Sequence, residues 1–268
     1  MDVGYMLMGE PRGPDGQAVP WHDFLAEARG WGLESVDLFP AYFERAGEPV
    51  AGAAEAIADL GLAVAAYCVR TDLVSPDPAM RQGSLDRVAA GAEQAAELGL
   101  GHLFSYGGQH ENRGEEALRR YADGLARAAD LCALQGLVLS IENAGSLCHT
   151  PDELARCLEA ADRPNLALTL DPGNFVLAGC EPHQAARRLA ARTVHLHVKN
   201  FVDDPARRPR PFRYCSPRRG QVDYARVARQ LAEAGYEGAL AFEPEGFPDA
   251  QAEDGIRYLA ELLASSDS

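Results

Sequence analysis

Eight short runs with strand character recur along the chain, and helical stretches separate them. The runs are DVGYML (2–7), LESVDLF (33–39), LAVAAYCV (62–69), HLFSYGG (102–108), LVLSIEN (137–143), LALTLD (166–171), TVHLHVKN (193–200) and GALAFEPE (238–245). Between them lie Ala-, Leu-, Arg- and Glu-rich segments of helical periodicity, such as 84–99, 115–136 and 223–235. Gly61, Gly99, Gly136 and Gly235 stand where a glycine suits a helix C-terminus. Thr150 before Pro151 reads as an N-cap followed by proline at the first helical position. Strands that alternate with helices must be parallel and joined by crossovers. Eight such units in 268 residues fit a single α/β domain over 1–268, a closed (β/α)8 TIM barrel. An open doubly wound sheet is the alternative architecture. Its dinucleotide-binding version is disfavoured, because no G-x-G-x-x-G follows a strand.

The formal net charge of −15 disfavours a phosphate backbone as partner, so no nucleic-acid binding is expected. The opening MDVGYMLMGEPRGP lacks a basic stretch followed by an apolar run, and no segment approaches a membrane span. A cytoplasmic location is the resulting expectation. The six cysteines form no CxxC pair and read as reduced thiols, several of them core filler. Lys199 is the only lysine in the chain.

Alternation at period 2 assigns faces to the last four strands. Leu139 and Ile141, then Leu166, Leu168 and Leu170, then Val194, Leu196 and Val198, then Leu240 and Phe242, form the aliphatic side that must pack on helices. The other side is small and then polar: Ser140 and Glu142, Thr169 and Asp171, His195, His197 and Lys199, Ala241 and Glu243. It therefore points into the barrel, with its polar residues near the C-terminal mouth where barrel enzymes hold their active sites. Glu142, Asp171, His197 and Glu243 are expected to converge there. Three carboxylates and an imidazole would repel and resist desolvation without a cation among them. This donor set suits one divalent ion, Mn²⁺, Mg²⁺ or Co²⁺, with Zn²⁺ also admissible. His195, one layer deeper, reads as a supporting core residue. Lys199 reads equally as a solvated strand end or a substrate contact.

The motifs IEN (141–143), LDPGN (170–174), HLHVKN (195–200), GQVDY (220–224) and GYEGALAFEPEG (235–246) carry a resemblance along nearly the whole chain. In this order and strand placement the sequence resembles the xylose-isomerase-like barrel superfamily, in particular its sugar (phosphate) isomerase/epimerase group. The resemblance matches that group's four metal ligands to Glu142, Asp171, His197 and Glu243. It implies a metal-dependent isomerase or epimerase acting on a sugar or polyol derivative, with Glu142 and Glu243 as the acid/base pair. It also implies a homo-oligomer. Three positions depart from the ketose 3-epimerases of the group. Asn174 stands where they have a histidine, Asp203 where they have an arginine, and Cys148 where they have a glutamate. The related endonuclease IV uses extra ligands for a zinc cluster, and Asn174 and the acidic charge argue against that chemistry. Two other readings stay open: a lyase using the same metal and base, and a non-catalytic sugar-binding barrel. Lys199, Asn174 and Arg70 are expected to contact substrate oxygens from the mouth. Residues 202–219, with six arginines and four prolines, are expected to form a lid or rim that attracts an anionic group or a neighbouring subunit.

Overall fold

The computed structural model describes residues 1–12, 17–107, 113–144, 147–207, 211–244 and 252–266. Its elements run β1 (Asp2–Leu7), α1 (Trp21–Arg29), β2 (Ser35–Leu38), α2 (Pro40–Ala46), α3 (Val50–Asp59), β3 (Ala63–Cys68), α4 (Pro78–Glu97), β4 (His102–Tyr106), α5 (Glu115–Leu134), β5 (Val138–Glu142), α6 (Pro151–Ala161), β6 (Leu166–Leu170), α7 (Pro172–Leu177), α8 (Pro182–Leu189), β7 (Thr193–Val198), β8 (Asn200–Asp203), β9 (Phe212–Cys215), α9 (Tyr224–Glu233), β10 (Ala239–Phe242) and α10 (Ala252–Ser266). Eight parallel strands close in the order β1-β10-β7-β6-β5-β4-β3-β2. The closing pair is β1 with β10, in register from Asp2 opposite Ala239 to Tyr5 opposite Phe242. The fold is a (β/α)8 barrel, as the alternation predicts.

Local signals placed the helix ends. Gly61, Gly99, Gly136 and Gly235 all take positive φ at helix C-termini. The Thr150 hydroxyl caps α6 by accepting from the Glu153 amide at 3.2 Å, with Pro151 at the first turn.

The two faces of the strands separate as their alternation requires, except at Val194 near the start of β7, which is exposed instead of packed on a helix. Leu139, Ile141, Leu166, Leu168, Leu170, Leu196, Leu240 and Phe242 are buried in the core shared with the helices. Burial of each contributes about 1.5–3 kcal/mol, which sets which face of a strand turns outward. The inner face holds smaller or polar groups. Gly4 sits opposite Ala241, and a Cβ there would lie 3.1 Å from the Ala241 Cα. A second apolar cluster of Met6, Phe39, Ala66, Cys68, Phe104 and Ala241 fills the β1–β4 side of the interior. On the β4–β6 side, His102 Nε2 lies 2.7 Å from the Ser140 hydroxyl, which lies 2.6 Å from the Thr169 hydroxyl. Burial, reinforced by His195, lowers the His102 pKa to about 3, so this ring is neutral.

The segment 202–219 departs from the loop expected of it. Val202, Asp203 and Phe212–Cys215 belong to an antiparallel β-ladder, β8 with β9, pairing Asn200 with Cys215 and Asp203 with Phe212. The aromatic contacts Phe201–Tyr214 and Phe201–Phe212 explain why. Arg208 and Arg210 lie outside the described residues, as does Glu245 of the last strand motif. The six cysteines are free and five are buried, as expected of core filler. Among the described residues, no helix is long and apolar enough to cross a membrane.

Candidate active site

The ends of β5, β6, β7 and β10 bring the expected polar residues to one place. Asn143 and Asp171 lock the first two ends together. The Asn143 amide donates to the Asp171 carbonyl and its oxygen accepts from the Asp171 backbone N–H, both at 2.8 Å. Tyr224 fixes the end of β7, donating to the Lys199 carbonyl at 2.6 Å and accepting from the Lys199 amide at 3.1 Å. Asp171 also caps α7, its Oδ1 accepting from the Asn174 backbone N–H at 3.2 Å.

Ligand-type atoms of Glu142, His197 and Glu243 lie within 4.8 Å of one another, and all three residues are buried. His197 Nδ1 is 3.3 Å from Glu142 Oε1 and 3.9 Å from Glu243 Oε2. Asp171 stands outside this group. The Lys199 ammonium lies between it and Glu243, 2.9 Å from Asp171 Oδ2 and 2.8 Å from Glu243 Oε1. Lys199 is only 2% exposed, so it is neither a solvated strand end nor a rim group. The Asn174 amide donates to Glu142 Oε1 at 3.1 Å. Arg70, Asn174, Lys199, Glu142 and Glu243 all line one cavity of about 940 Å³ at the mouth. Arg70 is exposed at its edge.

One member of the constellation escaped the sequence reading. Asp37 on β2 is fully buried, its Oδ2 2.9 Å from His195 Nε2 and 3.4 Å from His197 Nε2. The signal was present in SVDL, where Ser35 and Asp37 alternate with Val36 and Leu38. Asp37, His195 and His197 form a second group of mutually close donors. His195 takes the supporting place expected of it, its ring edge-on to His197 at 5.2 Å.

The electrostatics of this interior are those of a site short of positive charge. Among the described residues, the carboxylates of Asp37, Glu142, Asp171 and Glu243 share it with the Lys199 ammonium and the His195 and His197 imidazoles, beside the neutral His102 ring. Burial pushes the Glu243 pKa well up, and Glu142 and Asp171 add to this against Lys199. Burial also raises Asp171, with Lys199 opposing and Glu142 adding. Burial alone would lower His197, but Glu142 and Asp37 outweigh it and bring the pKa to about 10. Asp37 goes the other way: burial would raise it, yet His195 and His197 hold it well below the ordinary range. Glu243 Oε2 and His197 Nδ1 are buried with no hydrogen-bond partner. Unsatisfied buried groups of this kind call for an ion. The residues present therefore fit a divalent cation, which Glu142, His197 and Glu243 would hold, with Asp171 across Lys199.

Residues 25–262 match the family described as xylose isomerase-like TIM barrel. The chain belongs to that family. An inosose dehydratase from Geobacillus kaustophilus (strain HTA426) is 31% identical over 139 residues, 47% of this chain and 45% of that protein. The chain thus matches about half the length of such curated relatives. Among solved structures, an L-ribulose 3-epimerase superposes with a TM-score of 0.77 at 20% identity, over 100% of this chain and 96% of its own. A family member from Mycobacterium smegmatis in complex with magnesium gives a TM-score of 0.76 at 20% identity, over 100% and 98%. These structures share the fold of this enzyme superfamily.

Proposed function

We propose that the protein is a divalent-metal-dependent dehydratase acting on a keto sugar or keto polyol. Proton abstraction next to the carbonyl and loss of a β-hydroxyl would together expel water. The observation that carries this reading is the Lys199 ammonium, buried against Glu243 and Asp171 beside the Glu142/His197/Glu243 group. An ion held by that group would polarise a carbonyl and acidify the adjacent C–H. Glu142, oriented by the Asn174 amide, takes the proton from that carbon. Lys199 gives a proton to the departing hydroxyl, which leaves as water with the C–O bonding pair, while the electron pair of the broken C–H bond forms the new C=C bond. Transfer of the proton from Glu142 back to Lys199 through solvent restores both groups. Glu243 is engaged by Lys199 and serves to hold charge. The likeness to an inosose dehydratase supports elimination, as does the absence at 148, 174 and 203 of the residues epimerases carry.

Epimerisation is the second reading. It is favoured by two glutamates arriving on separate strands, β5 and β10, as proton transfer on two faces of a substrate requires.

Elemental analysis of purified protein, then assay of ketoses, inosose-like polyols and 3-keto-glycosides in deuterated water, tests both. The dehydratase reading expects a bound divalent ion, a dehydrated product, and loss of turnover after chelation. Lys199→Met should keep metal and lose about 10²-fold in kcat/KM. A deuterium-labelled epimer with no loss of water would establish the second reading instead. Full activity in metal-free protein would overturn both.

A further inference from the structure

Resting on that reading of the cavity, we infer that the substrate carries an oxyanion, a phosphate or carboxylate, remote from its reacting carbon. This group is held by Arg45, Arg70 and Arg113. These residues line the same cavity as Glu142 and Glu243. They come from three consecutive βα segments: Arg45 from the last turn of α2 after β2, Arg70 just after β3, and Arg113 between β4 and α5. All three are exposed, so they sit at the outer part of a cavity whose floor is the buried carboxylate cluster. Arg70 is positioned there. Its guanidinium hydrogen-bonds the Tyr106 hydroxyl, and its carbonyl accepts from Arg87 Nε at 3.0 Å. Among the described residues, the acidic lining residue outside the floor is Glu153, from α6 after β5.

The arrangement has a directional consequence. An anionic group is attracted at the arginine edge, so the charged end of a substrate faces out and its carbonyl end faces the floor. In a chain of net charge −15, three guanidinium groups on one side of one mouth are a local reversal of sign. Among the described residues, the arginines of 202–219 do not line this cavity. Of the loop 202–219, Tyr214 reaches the cavity wall, whereas Arg218 is committed to α10 through Asp254 at 2.9 Å and Glu261 at 2.7 Å.

Calorimetric titration with D-fructose, D-fructose 6-phosphate and D-galacturonate tests the assignment, on full-length protein both chelated and Mn²⁺-loaded. Wild type should bind at least one anionic probe tighter than fructose by about tenfold or more, as charge-assisted contacts to guanidinium predict. The triple variant Arg45→Gln, Arg70→Gln, Arg113→Gln should lose that preference, the anionic probes binding no tighter than fructose. Arg218→Gln should keep it. The phosphate and uronate arms show which oxyanion is read. Anion preference in the chelated protein upholds the inference even if no metal chemistry is found. Equal binding of neutral and anionic probes to wild type, or a preference kept in the triple variant, overturns it while leaving the metal reading intact.

Discussion

Asp37 shows how one carboxylate can set the character of a site it does not line. Its Oδ2 faces Nε2 of both His195 and His197, at 2.9 and 3.4 Å, while His197 Nδ1 is turned toward Glu142 and Glu243. A histidine ligand oriented by a carboxylate in this way depends on it for metal affinity. Asp37→Asn keeps the shape and removes the charge, and it should weaken Mn²⁺ binding by about 10–100-fold with little change in the far-ultraviolet dichroism. An unchanged affinity in a metal titration would remove Asp37 from the site. At this scale the sequence was readable wherever alternation was regular. Glu142, Asp171, His197 and Glu243 all point inward from strand ends as the period requires, and Asp37 obeyed the same rule. Lys199 was not readable in its role. It lies past the last residue of β7, and the direction of a long side chain there is decided by neighbours, namely Asp171, Glu243 and Tyr224.

The elements that hold the site are short, and their junctions are tight. α7 begins immediately after β6, with Asp171 as its cap, so the helix start and the carboxylate move as one unit. Gly173 in its first turn packs on β7's end, where a Cβ would lie 2.6 Å from the Lys199 carbonyl and 2.9 Å from its Cγ. The carbonyl is backbone and cannot give way. Gly173→Ala should therefore cost about 1–3 kcal/mol of stability by overpacking. It should also displace Lys199 and Asp171 and reduce metal uptake. A thermal melt and an elemental analysis matching wild type would show that α7 can shift without the site noticing. Strand and helix existence was legible at this scale, down to the glycines that end helices. The β8–β9 hairpin was not, because its prolines and arginines mask a pairing decided by Phe201, Phe212 and Tyr214. Asn200 then ties the hairpin's base to Val222, with bonds of 2.8 and 3.0 Å.

Closure of the barrel is a property of the whole chain: eight alternating strand–helix units favour it over an open sheet, and the pairing of β1 with β10 accomplishes it. Closure also concentrates charge, because strands far apart in sequence must deliver Asp37, Glu142, Asp171 and Glu243 to one interior. That crowding couples global stability to pH and metal together. The Glu243 pKa in the folded, metal-free protein is raised well above 4.5 by burial and by its acidic neighbours, and Asp171 is raised too. A carboxyl whose folded pKa is raised contributes stability that is full below its unfolded pKa and is lost as pH rises through the folded value. Metal-free protein should accordingly lose Tm as pH climbs above about 4.5, in excess of what its net charge produces. A divalent ion favours the ionised carboxylates, so its affinity rises with pH as protons are released. The Tm gained on adding Mn²⁺ should then widen steadily with pH. Glu243→Gln provides the control: it should flatten the metal-free slope and shrink the Mn²⁺ gain at high pH. If the Mn²⁺ gain were independent of pH in wild type, the buried carboxylates would not be the groups that hold the ion.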